Sequence, residues 1–202
     1  MQKQRLLSLD VLRGITIAGM IMVNNPGSWG AIYAPLRHAE WDGLTPTDLV
    51  FPFFMFIMGV SMYISYSKFD FQFNRNTFLK LLKRSVLLFL IGLLLNWFGL
   101  TCRHMSSLAQ TTDYSWFQRL YESAFYYLKE LRILGVLQRL AIVNFCGSLI
   151  LLTIKKKYIP YIIFGILLGY SIIMLFTGSL TLSTENIIAY IDSVILGESH
   201  MY

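Results

Sequence analysis

The segment between Pro26 and Asp48 holds most of the side chains in this sequence that could exchange protons with a substrate. Within eleven residues it has one histidine and three carboxylates, which are His38, Glu40, Asp42 and Asp48. Imidazole titrates near neutral pH, so a histidine beside a carboxylate is a minimal set for general acid–base catalysis. Trp29 and Trp41 lie close by and could stack on a sugar ring. The alternative is a structural histidine in a loop that its tryptophans anchor at lipid headgroups.

Further polar side chains interrupt apolar stretches. Asp10 and Arg13 are three residues apart, so on a helix they share a face and can pair. Arg139 follows Gln138 inside a later apolar stretch, where a charge is costly unless it is paired or hydrated. Arg139 binds either an anionic group, such as a cofactor phosphate, or a carboxylate on another span. Asn24 closes the first stretch, either as a helix cap or as an amide that faces a substrate.

The composition is that of a membrane protein. The chain has 202 residues, of which 55% are hydrophobic and 14% are charged, whereas about a quarter of a soluble domain is charged. The mean hydropathy is +0.56. In a soluble protein the net charge of +6 would suggest nucleic acid as a partner. We expect no nucleic acid here, because the basic residues lie between apolar runs, where they set the membrane topology.

The cysteines and the N-terminal region argue against two other classes of protein. Cys102 and Cys146 are the two cysteines, too few for a disulfide framework, and no cysteine or histidine spacing suggests zinc. We therefore expect no metal site. Basic residues precede the first apolar stretch, as in a signal peptide, but Asp10 and Arg13 interrupt its start. No small-x-small cleavage site follows, so this stretch is predicted to be a retained span.

Five apolar stretches are close to the length that crosses a bilayer as a helix. Because a span must satisfy its backbone hydrogen bonds internally, the predicted fold class is an all-α polytopic transmembrane helical bundle. The spans are predicted at Leu9–Asn24, Leu49–Ser67, Ser85–Leu100, Ile133–Ile154 and Tyr158–Gly178. Pro52 is expected in the first turn of the second span, where a missing N–H costs little. The segment Thr101–Leu131 is predicted to be a loop with an amphipathic helix around Trp116–Leu128.

The basic residues predict a cytoplasmic N-terminus. In that orientation ten lysines and arginines lie inside and five outside, which follows the positive-inside rule. The inner ten are Lys3, Arg5, Lys68, Arg75, Lys80, Lys83, Arg84, Lys155, Lys156 and Lys157, and the outer five are Arg37, Arg103, Arg119, Lys129 and Arg132. The loop that contains His38 then lies on the outer side of the membrane.

Four motifs resemble the heparan-alpha-glucosaminide N-acetyltransferase family and its bacterial relatives. They appear in the family's order and approximate spacing, and they span residues 8–202. The motifs are SLDVLRGITIAGMIMVNNPG, RHAEWDGLTPTDLVFPFFMFIMGVS, LRILGVLQRLAI and AYIDSVILGESHMY. These stretches are long and specific, so the resemblance covers essentially the whole chain.

The resemblance implies a transmembrane acetyltransferase that uses acetyl-CoA from the cytoplasm as co-substrate and acetylates an amino sugar or glycan on the far side. The family's active histidine precedes the tryptophan of an H-x-x-W-[ND]-G-L-T-x-x-D motif, which places it at His38, followed by Trp41, Asp42 and Asp48. His38 either accepts the acetyl group covalently or only removes a proton from the amine. Asn24 and Asp48 are the candidates for orienting His38 or the substrate.

The family's recurrent polar positions also imply a site for the co-substrate. They match Asp10, Arg13, Gln138 and Arg139, with Arg139 as a candidate ligand of the acetyl-CoA phosphates. We thus predict a single transmembrane acyltransferase-like domain over residues 1–202.

This sequence differs from the family in two ways, and each difference leads to a further expectation. Family members continue with several more spans, so we expect residues 1–202 to be the C-terminally truncated N-terminal half of such a domain. The outer domain that precedes the catalytic region in the animal lysosomal enzyme is missing from this sequence. We therefore expect a bacterial member in the cytoplasmic (inner) membrane, and a homodimer remains one option for its assembly.

The main alternative is a transporter or carrier without acyltransferase activity, in which Asp10 and Arg139 line a permeation path. A transporter has no need of a histidine and carboxylates outside the bilayer, so the sequence around His38 favours the enzyme. A third reading is an inactive membrane fragment.

Overall fold

The protein is described by a computed structural model that covers residues 6–40, 43–111, 113–126, 131–177 and 186–197. These ranges are almost entirely helical and contain no strand. The helices are α1 (Leu7–Asn24), α2 (Pro46–Ser67), α3 (Arg75–Thr111), α4 (Trp116–Tyr126), α5 (Val136–Thr153), α6 (Ile159–Phe176) and α7 (Ile187–Leu196). The chain divides into two compact units at residues 1–72 and 73–202.

The all-α fold with five membrane-spanning candidates is confirmed. Helices α1, α2, α3, α5 and α6 are each long and apolar enough to cross a bilayer, and each overlaps one of the five predicted spans. Large apolar side chains are exposed along them, and α6 has no buried residue at all. Water would make such a surface costly, whereas lipid tails solvate it, so these helices belong in a membrane.

In the first unit α1 and α2 pack side by side. Thr16 and Val23 of α1 and Ile57 of α2 are buried. A Cβ on Gly19 of α1 would lie 3.8 Å from the Val50 side chain of α2, an ordinary van der Waals distance, so the helices meet at this small residue and alanine would fit there too. Small residues at such contacts are typical of helix pairs in membranes, where close packing replaces hydrophobic burial as the source of stability.

Helix α2 begins three residues earlier than predicted. Thr45 precedes the helix in an extended conformation, and its backbone N–H donates to the Asp48 carboxylate at 3.0 Å. This contact satisfies a backbone donor at the helix start, and Pro46 takes the first helical position, which suits proline. The expectation that Pro52 lies in the first turn is therefore wrong. Pro52 lies inside the helix, where the Asp48 carbonyl lacks its usual i+4 donor.

In the second unit α3 is much longer than the span predicted from hydropathy. It has 37 residues, about 55 Å at 1.5 Å per residue, against about 30 Å of bilayer hydrocarbon. The predicted span 85–100 is its middle. Charged residues end the apolar run on both sides, but lysine, arginine and leucine are good helix formers, so the helix continues past them. The prediction of a loop from Thr101 is wrong up to Thr111.

Helices α4 and α5 both pack against α3. The observed α4 confirms the expected amphipathic helix and begins at the predicted Trp116, while residues 127–128 of that prediction lie outside the described residues. At the α3–α5 contact Leu140 and Ala141 are buried together with the polar Gln138. Helix α7 was not predicted as an element.

Candidate active site

The loop before α2 is fixed to that helix just ahead of the candidate histidine. A short 3-10 turn at Ala34–Leu36 precedes His38, and the Thr47 hydroxyl donates to the Pro35 carbonyl at 3.3 Å. Thr47 is buried in the first turn of α2. The helix start therefore holds the loop from which the His38 side chain projects.

His38 and Asp48 form a hydrogen-bonded pair. His38 Nδ1 lies 2.6 Å from Asp48 Oδ1. An ionised carboxylate can only accept hydrogen bonds, so this contact requires the proton on Nδ1, and in the neutral imidazole Nε2 then keeps its lone pair. The His38 side chain is 67% exposed and that of Asp48 23%. The pair thus presents a basic or nucleophilic ring nitrogen to its surroundings while a half-buried carboxylate orients the ring.

The second oxygen of Asp48 is held just as firmly. Asp48 Oδ2 accepts from the Thr45 backbone N–H at 3.0 Å, the Thr45 hydroxyl at 2.8 Å and the Ala39 backbone N–H at 3.2 Å. Each donor stabilises the carboxylate charge. Because Asp48 is also part of α2, these contacts fix the direction of Oδ1 and hence the orientation of the His38 ring.

The turn between His38 and Thr45 depends on a glycine. Gly43 has φ +115°, a backbone conformation that only glycine adopts readily. This explains the glycine of the motif in physical terms. The neighbouring predictions for Trp41 and Asp42 lie outside the described residues, and Glu40 is exposed beside the pair.

Asn24 forms a hydrogen bond within its own helix. Its Nδ2 donates to the Met20 carbonyl four residues earlier at 2.8 Å, and Asn25 does the same to Ile21. Both side chains thus bond carbonyls of α1 itself, near its C-terminal end. A role for Asn24 in orienting His38 or a substrate stays a prediction.

Asp10 and Arg13 are brought together as their spacing predicted. Arg13 Nη1 lies 3.3 Å from Asp10 Oδ1 on the same face of α1, and both side chains are partly exposed. Arg13 Nη2 also donates to the Ser61 hydroxyl of α2 at 3.0 Å, and this hydroxyl donates to the Ile57 carbonyl. Sequence reasoning missed Ser61, since nothing in a sequence couples two residues 48 positions apart.

Gln138 and Arg139 belong to the second unit and have opposite surroundings. Gln138 is 1% exposed, and its Oε1 lies 2.8 Å and 2.6 Å from where a Cβ on Gly92 and Gly135 would be. Its Nε2 is buried with no partner among the described residues. Arg139, one residue on, is exposed. The co-substrate role of both residues stays a prediction, and the structure gives Gln138 a place in helix packing.

The described residues contain no group of three or more histidine, cysteine, aspartate or glutamate side chains that could hold a metal ion. The His38–Asp48 pair can act through Nε2 in two ways, by proton abstraction or by nucleophilic attack.

We expect Asp48→Asn to lower the turnover of any reaction that uses His38 Nε2 by about 10²- to 10⁴-fold. The asparagine amide can donate to Nδ1, which moves the ring proton to Nε2 and removes its lone pair. The measurement is kcat and KM, and a loss confined to KM would contradict this role. Thr45→Val is the matched control, because it removes one donor to Asp48 and leaves the His38 contact. It should cost stability, about 1 kcal/mol for a lost cap interaction, and little activity.

The matches to known sequences all point to one family. Residues 5–109, which include His38 and Asp48, match the family described as "Heparan-alpha-glucosaminide N-acetyltransferase, catalytic". Over 61 residues the chain is 49% identical to the heparan-alpha-glucosaminide N-acetyltransferase of Homo sapiens and 44% to that of Mus musculus. These stretches make up 30% of this chain and 9% of each relative. Gln138 and Arg139 lie outside the family match.

Proposed function

The chain belongs to the heparan-alpha-glucosaminide N-acetyltransferase catalytic family, and we propose that it transfers acetyl from cytoplasmic acetyl-CoA to an amino sugar or glycan across the membrane, with His38 as the reacting group. The family is a transmembrane acetyltransferase catalytic domain. The observation that carries the assignment of His38 is its 2.6 Å contact with Asp48, on an otherwise exposed ring.

Both mechanisms open to the pair begin at Nε2. In the direct mechanism Nε2 takes a proton from the acceptor ammonium, and the free amine attacks the thioester carbonyl. The C–S bond then breaks, and the second proton lost by the nitrogen passes to the sulfur, so that CoA leaves as the thiol. In the two-step mechanism Nε2 itself attacks the thioester, CoA leaves, and the amine then displaces the imidazole from the acetyl carbon. Asp48 stabilises the positive charge that the ring gains in either case.

The proposed direction follows from the basic residues. A cytoplasmic N-terminus places the loop that contains His38 on the outer side, since α1 crosses the membrane before it. Acetyl-CoA approaches from the cytoplasm, and only its acetyl group has to reach His38. Because these spans alternate in direction, α2 starts at the outer side, where Asp48 lies in its first turn.

Arg13 is the more suitable of the two arginines for the phosphates of acetyl-CoA. It lies in the N-terminal part of α1, towards the proposed cytoplasmic side, and its side chain is partly exposed. Asp10 and Ser61 fix the guanidinium in place, and a guanidinium suits bidentate phosphate binding. Arg139 starts a span that would begin at the outer side, so its contact with the same phosphates is the weaker assignment.

The test uses the full-length protein in sealed inside-out vesicles, with labelled acetyl-CoA outside and glucosamine in the lumen. We expect labelled N-acetylglucosamine to accumulate inside. Right-side-out vesicles under the same conditions are the control and should give none. If acetyl-CoA binds but no amine among several sugars is acetylated, the acceptor is misassigned. If acetyl-CoA does not bind at all, the acetyltransferase proposal fails.

The same vesicles separate the two mechanisms. Without an acceptor, the two-step mechanism releases one equivalent of CoA and leaves an acid-labile acetyl group on the protein, which mass spectrometry locates at His38. The direct mechanism releases no CoA until the amine is added.

A further inference from the structure

Helix α4 has an exposed aromatic face, whose first ring packs edge-on against the neighbouring Trp116 of the same helix. Phe117, Tyr121 and Phe125 recur every four residues, which places them on one side of the helix. All three are exposed, Phe117 to 77%. The Tyr121 and Phe125 rings lie 4.9 Å apart and form a continuous surface. We call these three side chains the aromatic face.

A different side of α4 is fixed to α3. Ser123 is fully buried, and its hydroxyl lies 3.2 Å from His104 Nδ1 of α3. Trp97 of α3 donates its indole N–H to the Ala124 carbonyl at 2.8 Å. The ring of His104 also stacks on Tyr126, 4.5 Å apart at 14°. These contacts set the rotation of α4 about its own axis, and the aromatic face is not the side that meets α3.

The position of these contacts along α3 indicates how deep the contacting part of α4 lies in the membrane. The uncharged run of α3 extends from Ser85 to Cys102, which is about 27 Å of helix and close to the hydrocarbon thickness of about 30 Å. Arg103 is the first charge after it. Trp97 and His104 therefore lie on either side of the level where hydrocarbon gives way to headgroups, and the C-terminal part of α4, which makes these contacts, is held at that level.

The side chains around the aromatic face suit a helix at the boundary between hydrocarbon and headgroups. Gln118 and Glu122 follow it on the next side of the helix and are exposed, so α4 has one side towards α3, one aromatic and one polar. In α3, which α4 packs against, the apolar Leu94 and Phe98 are exposed as well. Amphipathic helices with this composition lie in the plane of the membrane interface, and tyrosine is enriched there.

We propose that α4 is an interfacial helix that inserts Phe117, Tyr121 and Phe125 into the lipid of the leaflet at the C-terminal end of α3. The occupant of the aromatic face is the boundary between acyl chains and headgroups. This inference is independent of the acetyltransferase reaction, because it rests on α3 and α4 alone.

Nitroxide accessibility in vesicles tests the proposal. The full-length protein, with Cys102 and Cys146 replaced by serine, is reconstituted in phosphatidylcholine vesicles and spin-labelled at Tyr121→Cys or, as the adjacent control, Glu122→Cys. We expect the label at 121 to be severalfold more accessible to oxygen than to a water-soluble nickel chelate, and the label at 122 to show the reverse. Leu94→Cys supplies the lipid-exposed reference.

Two results would overturn the proposal. Shielding of the label at 121 from both oxygen and nickel would mean that protein covers the aromatic face, from a second copy or another part of the chain. Free access of nickel to that label would place the face in water. A label at Phe125→Cys repeats the comparison one turn later. The result then does not depend on a single substitution, which could disturb the helix locally.

Discussion

We expect His38→Gln to slow acetyl transfer by about 10²- to 10⁴-fold, the usual contribution of a positioned acid–base group. Glutamine keeps a polar side chain of similar reach, and its amide can still donate to Asp48. It has no basic nitrogen at the position of Nε2, so it can neither take the proton of the amine nor accept the acetyl group. The rate is measured with saturating acetyl-CoA and amine in reconstituted vesicles.

Glu40→Gln is the matched control for this substitution. Glu40 is exposed on the same loop, two residues from His38, and it also carries an acid–base side chain. Its amide variant should transfer acetyl at nearly the wild-type rate. Equal losses in the two variants would mean that the loop as a whole matters, and equal rates of His38→Gln and wild type would remove His38 from the mechanism.

The second large effect is expected at the contact between α3 and α5. A Cβ on Gly92 would lie 2.8 Å from Gln138 Oε1 and 2.9 Å from Leu137 Cβ, closer than such atoms can approach. The glutamine end can turn away, but the Leu137 Cβ moves only with the backbone of α5. We expect Gly92→Ala to destabilise the protein by about 1–3 kcal/mol, the range for overpacking, with a lower melting temperature in detergent.

Gly99→Ala provides the comparison within the same helix. A Cβ there meets nothing within 4 Å, so alanine should leave the melting temperature unchanged or raise it through its better helix propensity. Adding Gln138→Ala to Gly92→Ala should restore part of the lost stability, since it removes the glutamine contacts and leaves the one with Leu137. Equal melting temperatures of the two single glycine variants would disprove close packing at Gly92.

Hydropathy predicted the spans well because membrane helices must be long and apolar whatever they pack against. The ends were less predictable. The start of α2 depends on a hydrogen bond between Thr45 and Asp48, and α3 continues beyond the apolar run because charge stops membrane insertion without stopping a helix. Hydropathy reports which residues enter the membrane, but it does not report where the helix ends.

In the candidate site, too, some contacts could be predicted from the sequence and others could not. The pairing of His38 with Asp48 joins two residues that the motif had already singled out, and Asp10 with Arg13 follows from helix spacing. The Arg13–Ser61 contact and the burial of Gln138 between two glycines arise only when separate helices pack. Residue type alone cannot distinguish a glutamine that binds a ligand from one that fills a helix contact.

Asp48 links His38, the proposed reacting group, to the folding of a membrane helix. The carboxylate that orients His38 also accepts from the backbone and hydroxyl of Thr45, directly before α2. Fraying of the first turn of α2 would therefore release the imidazole before it disturbed the rest of the helix. Catalytic competence would then depend on local order at one helix end, and selection for activity and for stability would act on the same few atoms.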